Sequence, residues 1–226
     1  MSTLKPLRLD IVSDVVCPWC YIGKRRLESA LSEFEHKDEV EIVYHSFQLD
    51  PSAPRKVDAN APTVASHLAD KYGMTAEQAY QMQEKVSGLA AIEGMAWDHH
   101  HSPYVNTVDA HRLLHLALAE YGPQTQIALK ESLLDAYFAK ALNVADHEVL
   151  KQLAVAQGID PARADAVLAS REFEDEVVED QEQAIAYGAN GVPFFVFDDR
   201  FGVPGAQDTA VFADVLQKAY AAEHSD

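Results

Sequence analysis

Cys17-Pro18-Trp19-Cys20 is the stretch whose residue types and spacing most plainly allow chemistry. These are the only 2 cysteines in 226 residues, and two cysteines scattered over such a length would fall three apart in roughly one chain in a hundred. A thiolate is the nucleophile of thiol–disulfide exchange, and a second thiol one helical turn away can close a disulfide and release a bound partner. The pair therefore reads as a dithiol centre, with Cys17 attacking and Cys20 resolving. Two other readings stand beside it. The thiols could be inert packing groups, or half of a zinc site completed by His99-His100-His101. No second Cys-x-x-Cys exists, and the histidine run before Ser102-Pro103 reads as an exposed loop, so no metal is expected.

The elements around the motif suit redox chemistry. Leu7, Leu9 and Ile11 alternate with Arg8 and Asp10, the period of a strand that runs directly into the cysteines. A helix follows, with Cys20, Leu27, Leu31 and Phe34 on one face and Lys24, Arg25, Arg26, Glu28 and Glu35 on the rest. Cys17 would then lie at an exposed helix N-terminus, where unpaired N–H groups and the macrodipole stabilise a thiolate, while Cys20 is shielded one turn further in. Pro18 fits the first helical position, where no hydrogen bond is lost. Trp19 is expected to be exposed, an apolar platform for a partner. Asp14, in the turn before Cys17, could carry protons for Cys20 or tune the thiols; its alternative is an Asx turn or cap.

Val40 to Phe47 reads as a second strand, in which His45 is a core or surface residue rather than a proton carrier. From about Pro62 to about Ser170 helical periodicity dominates. Thr75 with Gln78 makes a capping box, Thr107 opens a helix, and Asp160-Pro161 caps another, with Gly122, Gly158 and Gly188 at helix ends. Strand character returns in Val192 to Phe197, followed by Asp198-Asp199-Arg200 as a turn and Phe201-Gly202-Val203 as the returning arm. Asp208 caps a last helix. Neither flank has enough strands to cover its own core, so residues 1–50 and 175–226 are expected to share one sheet, with 51–174 as an inserted helical domain forming one wall of a cleft near Trp19.

Composition narrows the function. A net charge of -18 repels nucleic-acid phosphates and anionic membrane surfaces, so neither partner is expected. The N-terminal stretch MSTLKPLRLDIVSDVV has no basic segment followed by an apolar run, which makes a cytoplasmic location the expectation. Thiols are kept reduced there, so a disulfide formed by this pair would be transient and catalytic.

The order of strand, SDVVCPWCYIGKRRLE, second strand, helical insertion and GVPFFVFDDRFGVPGAQ resembles the DsbA family of thioredoxin-fold proteins, in its cytoplasmic FrnE-like branch. The likeness spans nearly the whole chain. Its specific parts are Cys-Pro-Trp-Cys and Gly191-Val192-Pro193, and the helical middle matches in arrangement and in Asn106 to His115. The resemblance implies an α/β, thioredoxin-like fold with a large inserted all-helical domain. It also implies a cis peptide before Pro193, facing a redox-active Cys17–Cys20 disulfide, with no permanently bound cofactor. From sequence alone Pro193 would simply begin a strand in the trans form. A cis bond would leave the Val192 N–H and C=O free to pair with an extended substrate. The partners implied are disulfide- or thiol-bearing proteins or small thiols. Glutathione-using isomerases and transferases of the same superfamily carry similar Val-Pro and Gly-Ala segments but have serine where Cys17 stands. Through them glutathione is a candidate co-substrate, with a site near Val192 and Gln207. A chaperone-like polypeptide binder using the helical lid is the third class.

Overall fold

The structure, a computed structural model, describes residues 5–57 and 62–224, apart from the side chain of His99. Strand β1 (Leu7–Ser13) lies inside a four-stranded sheet of order β2-β1-β3-β4. Strand β2 (Val40–Ser46) pairs parallel to it, with Leu9 opposite Ile42. Strand β3 (Phe194–Phe197) pairs antiparallel on the other side, with Ile11 opposite Phe195, and β4 (Phe201–Pro204) completes a hairpin. Residues from both ends of the chain thus form one mixed sheet. The hairpin turn holds Asp198 and Asp199 at positive φ, a conformation that short polar side chains tolerate.

Alternation along β1 builds two layers. Leu7, Leu9 and Ile11 pack with helix α1 (Pro18–Ser32) and helix α9 (Thr209–Glu223), where Leu27, Phe195, Phe212 and Leu216 complete the core. Val12 faces the opposite layer with Val196 and Ala184. Asp10 also turns that way, and is buried rather than half exposed.

Between β2 and β3 the chain is helical: α2 (Val64–Tyr72), α3 (Ala76–Ile92), α4 (Val108–Leu116), α5 (Pro123–Phe138), α6 (His147–Ala156), α7 (Pro161–Ala169) and α8 (Glu174–Ala186). The Thr75–Gln78 capping box and the Asp160 cap before Pro161 form as their residue types dictate. Thr107 precedes α4 without capping it. That bond comes from Asn106, whose side-chain oxygen accepts from the Val108 N–H at 2.9 Å. After Leu116 the helix widens into a π turn, Ala117–Tyr121, which ends at Gly122 with φ 89°.

The helical block is not a separate body. Its core contains Leu113, Leu129, Leu133 and Phe138 together with Val15, Tyr21 and Ile22 from the β1–α1 segment. It also covers the sheet edge that β2 would otherwise expose. Gln126 of α5 accepts from the Tyr44 N–H at 2.9 Å and donates to the Tyr44 carbonyl at 2.8 Å, reproducing a missing strand neighbour. Among the described residues no helix is long and apolar enough to cross a membrane.

Candidate active site

Cys17 is the N-cap of α1 in extended conformation, and Pro18 takes the first helical position. The Cys17 Sγ accepts from the Cys20 N–H at 3.4 Å and donates to the Val192 carbonyl oxygen at 3.6 Å. Each thiol is free, without a disulfide. The Val192–Pro193 bond is cis, and the Pro193 carbonyl accepts from the Gly205 N–H at 2.8 Å, which ties this loop to the end of β4. Helix α1 can approach so closely because residue 23 is glycine. A Cβ there would stand 3.2 Å from both Pro193 and the Phe195 ring.

Cys17, Pro18, Trp19 and Val192 line one cavity, with Cys20 one turn behind Cys17. Cys17 is not exposed: it retains 3% of its surface, the same as Cys20. Beside it the helical block and the motif enclose between them a cavity of about 500 Å³. Cys17, Pro18, Asp14 and Val192 lie along one side of this cavity, and Leu68 of α2 and Val86 of α3 line it from the helical block. Trp19, 42% exposed, lines it too. At another part of the wall Tyr104, stacked on His67, donates to Asp50 at 2.5 Å. The Val192 carbonyl is not free either, since it accepts the Cys17 thiol.

Asp14 is 1% exposed, and both its oxygens accept hydrogen bonds. Oδ1 accepts from the Val15 N–H at 2.7 Å and from His111 Nε2 at 3.1 Å, and Oδ2 from the Leu49 N–H at 2.8 Å. Burial works against this carboxylate, yet His111, the Leu49 amide and Lys130 together hold it below the ordinary aspartate value. A carboxylate so held is a weaker proton acceptor than a free one, which bears on the carrier role read from its position. His111 is held neutral by burial, its Nδ1 without a partner.

Burial, with Cys17 beside it, pushes the Cys20 thiol well above its ordinary range; Lys130 and the Asp14 backbone amide oppose this. Sequence reading passed over Lys130 and His111. The available signal was spacing: Gln126, Lys130, Leu133 and Tyr137 recur at helical intervals on one face of α5, and all four are buried.

Gln207 stands apart. Its amide donates to the Pro204 carbonyl at 2.7 Å within the turn after β4, and it does not line the cavity. The histidine run forms a short 3₁₀ turn rather than a loop, in which His100 stacks on Tyr80 and His101 meets Asp98 at 2.7 Å. Among the described residues no group of three or more His, Cys, Asp or Glu side chains could hold a metal ion.

Residues 8–217 match the family model described as the DSBA-like thioredoxin domain. The chain belongs to that family. It is similar to a probable DsbA oxidoreductase from Streptomyces coelicolor, with 41% identity and a TM-score of 0.86 over 95% of this chain and 90% of that one. It is 28% identical to the uncharacterized protein YwbO of Bacillus subtilis (strain 168), over 93% of this chain and 96% of that protein. The cytosolic disulfide reductase DsbM of Pseudomonas aeruginosa, solved with glutathione, has the same fold, with a TM-score of 0.62 at 16% identity over 95% of this chain and 99% of that one. The DsbA-like family member described here is an enzyme of the thiol–disulfide oxidoreductase kind, built on a thioredoxin-like α/β fold with a helical insertion.

Proposed function

We propose that this protein exchanges disulfides with small or extended substrates through Cys17, with Cys20 resolving the mixed disulfide. One observation carries the reading: the Cys17 sulfur sits between the Cys20 N–H and the Val192 carbonyl, beside a cavity, with the second thiol one turn behind it. In the reductive direction the Cys17 thiolate attacks one sulfur of a substrate disulfide, forming a Cys17–S–S–R bond while the other substrate sulfur leaves as thiolate. The Cys20 sulfur then attacks Cys17 Sγ, the bond to the substrate breaks, and the second thiolate departs with the proton that Cys20 gives up. Run backwards, the same steps oxidise a substrate dithiol. The N-terminal N–H groups of α1 favour the sulfur as an anion in either direction.

Both cysteines being 3% exposed argues against a folded protein disulfide docking flat on the motif. A small disulfide, or an extended segment lying along Val192, can enter. Pro18 and Trp19 supply the apolar lip. Glutathione suits the part of co-substrate thiol, although Gln207 is badly placed to hold it. Retention of Cys17 favours dithiol redox chemistry over the isomerase reading, and the combination of Cys-Pro-Trp-Cys with a helical insertion supports the cytoplasmic, FrnE-like branch. The domain limits that fit this function remain 1–50 with 175–226, and 51–174.

The test is turnover of a small aromatic disulfide and of insulin with dithiothreitol as regenerant. Wild-type protein is expected to accelerate at least one of them, and Cys17→Ser to fall to background. Wild-type activity in Cys17→Ser, or zinc bound stoichiometrically and lost with either cysteine, would overturn the reading.

A further inference from the structure

Most of the side chains around the cavity beside Cys17 are apolar, and α3 supplies part of the wall. Met82, Gln83 and Val86 line it, spaced so that one face of that helix is turned to the space. Gln83 is the polar member of the three, and it is only 4% exposed. Its Oε1 lies 3.2 Å from Nδ1 of His100, whose Nε2 is 2.5 Å from Glu84 and whose ring stacks on Tyr80. The Gln83 Nε2 is buried without a hydrogen-bond partner. Such an amide nitrogen is uncommon in a folded protein, and leaving it unpaired costs free energy that a partner would recover.

Among the described residues that line the cavity, Gln83 is the one whose buried side-chain nitrogen or oxygen lacks a partner. The Asp14, Asp50, Tyr104 and Tyr137 side chains already have theirs. Asp14 accepts from Val15, Leu49 and His111, Tyr104 donates to Asp50, and the Tyr137 hydroxyl donates to the Pro103 carbonyl at 3.1 Å. What the space can hold follows from its size and lining. About 500 Å³ suits a small organic molecule rather than a polypeptide. Trp19, Tyr104 and Phe138 stand among apolar neighbours such as Leu68 and Val86, a lining that favours a flat aromatic body. The carboxylates of Asp14 and Asp50 outnumber the one ammonium of the wall, Lys71, in a chain of net charge -18. The group that meets Gln83 is therefore an uncharged acceptor rather than a carboxylate.

We propose that this cavity is a substrate chamber for small aromatic disulfides that carry an uncharged carbonyl, whose oxygen accepts from Gln83 Nε2 while the sulfur faces Cys17. The proposal rests on the dithiol reading above and adds the substrate class. In the exchange the substrate sulfur–sulfur bond breaks, two electrons and two protons pass from Cys17 and Cys20, and the substrate leaves as two aryl thiols while the cysteines are left as a disulfide. Gln83 takes no part in that chemistry. It holds the ring by the end away from the sulfur. A hydrocarbon of the same shape would fill the space but leave Nε2 unpaired, so the amide discriminates between the two.

The experiment uses the full chain with Cys17→Ser and Cys20→Ser, so that binding is read without exchange. The probes are thioethers, which cannot exchange: 3- and 4-(methylsulfanyl)acetophenone, and the same rings with isopropyl in place of acetyl. Calorimetric titration is expected to show an acetophenone bound more tightly than its isopropyl counterpart. Adding Gln83→Leu is expected to lower that ratio about five- to tenfold, the worth of one hydrogen bond. A merely packing role for Gln83 would move both probes alike, so an unmoved ratio overturns the proposal. Tighter binding of 4-(methylsulfanyl)benzoate than of the ketone overturns it too. If Gln83→Leu does not fold, the ¹⁵N resonance of the Gln83 side-chain amide in the double-serine protein decides. It must shift with an acetophenone and not with its isopropyl counterpart, and an equal response to both overturns the proposal. Turnover of bis(4-acetylphenyl) disulfide by the wild-type protein with dithiothreitol separates this inference from the reading beneath it. Acceptor-dependent binding without that turnover would support the Gln83 site and overturn the dithiol reading alone.

Discussion

A carboxylate three residues before Cys17 invites the role of proton carrier, and the surroundings of Asp14 weigh against it. Its oxygens meet the Val15 and Leu49 amides and His111, which favour the charged form. Asp14→Asn would turn an amide N–H₂ toward one of these donors, and is expected to destabilise the fold by about 1–3 kcal/mol, measured by denaturant unfolding. The pH dependence follows from the same contacts. The folded value lies below the ordinary one, so the contribution is present above pH 3.8 and is lost as pH falls through the folded value. Asp14→Asn protein should lack that part of the acid limb, and an identical acid limb in both proteins would count against the assignment. Residue type and spacing made the cysteine pair legible, because two thiols three apart have few other uses. Lys130 was not, because a lone lysine in an amphipathic helix resembles a solvent-facing one until its partners from β1 and β2 are in place.

The elements are joined by polar ties of the same kind. His45 of β2 places Nε2 at 2.6 Å from Asp10 of β1 and Nδ1 at 2.7 Å from Asp180 of α8, while His115 of α4 reaches Asp180 at 3.0 Å. Burial disfavours the charged imidazole, but the two carboxylates prevail and hold His45 up to about 9. Its folded value exceeds the unfolded 6.5, so this contribution is complete below pH 6.5 and is lost as pH rises through about 9. Thermal unfolding should therefore occur at lower temperature as pH rises across that window. His45→Gln should remove most of the dependence and cost on the order of 2 kcal/mol at pH 6; an unaltered pH profile would show that the network does not tie α8 to the sheet. The sequence placed His45 on the correct strand without this role, because Asp180 lies more than a hundred residues away. Capping boxes and N-terminal prolines were readable for the opposite reason, since every partner lies within four residues. Strand β3 begins at Phe194 rather than Val192, the two residues before it being taken by the cis-proline loop.

At the scale of the whole molecule, the helical insertion does more than decorate a thioredoxin-like sheet. It covers the edge of β2, sends Lys130 to the Ser13 carbonyl at the end of β1, and lines a cavity beside Cys17. Cys17 is buried where the sequence implied exposure: its own segment forms an N-terminal cap beside Val192, and residues of α2, α3 and α5 line the cavity next to it. The shared sheet was legible because neither flank could complete one alone, whereas the depth of the site depends on how the two parts pack. The account's central claim is that Cys17 attacks and Cys20 resolves. Its most direct measurement is the intact mass and peptide map of the Cys20→Ser protein after exposure to a small aromatic disulfide. A single, persistent mixed disulfide on Cys17 is the expected result, with wild type passing on to an internal disulfide and Cys17→Ser forming no adduct at a comparable rate. An unmodified Cys17 in the Cys20→Ser protein, or an adduct on Cys20 formed as fast in the Cys17→Ser protein, would contradict it.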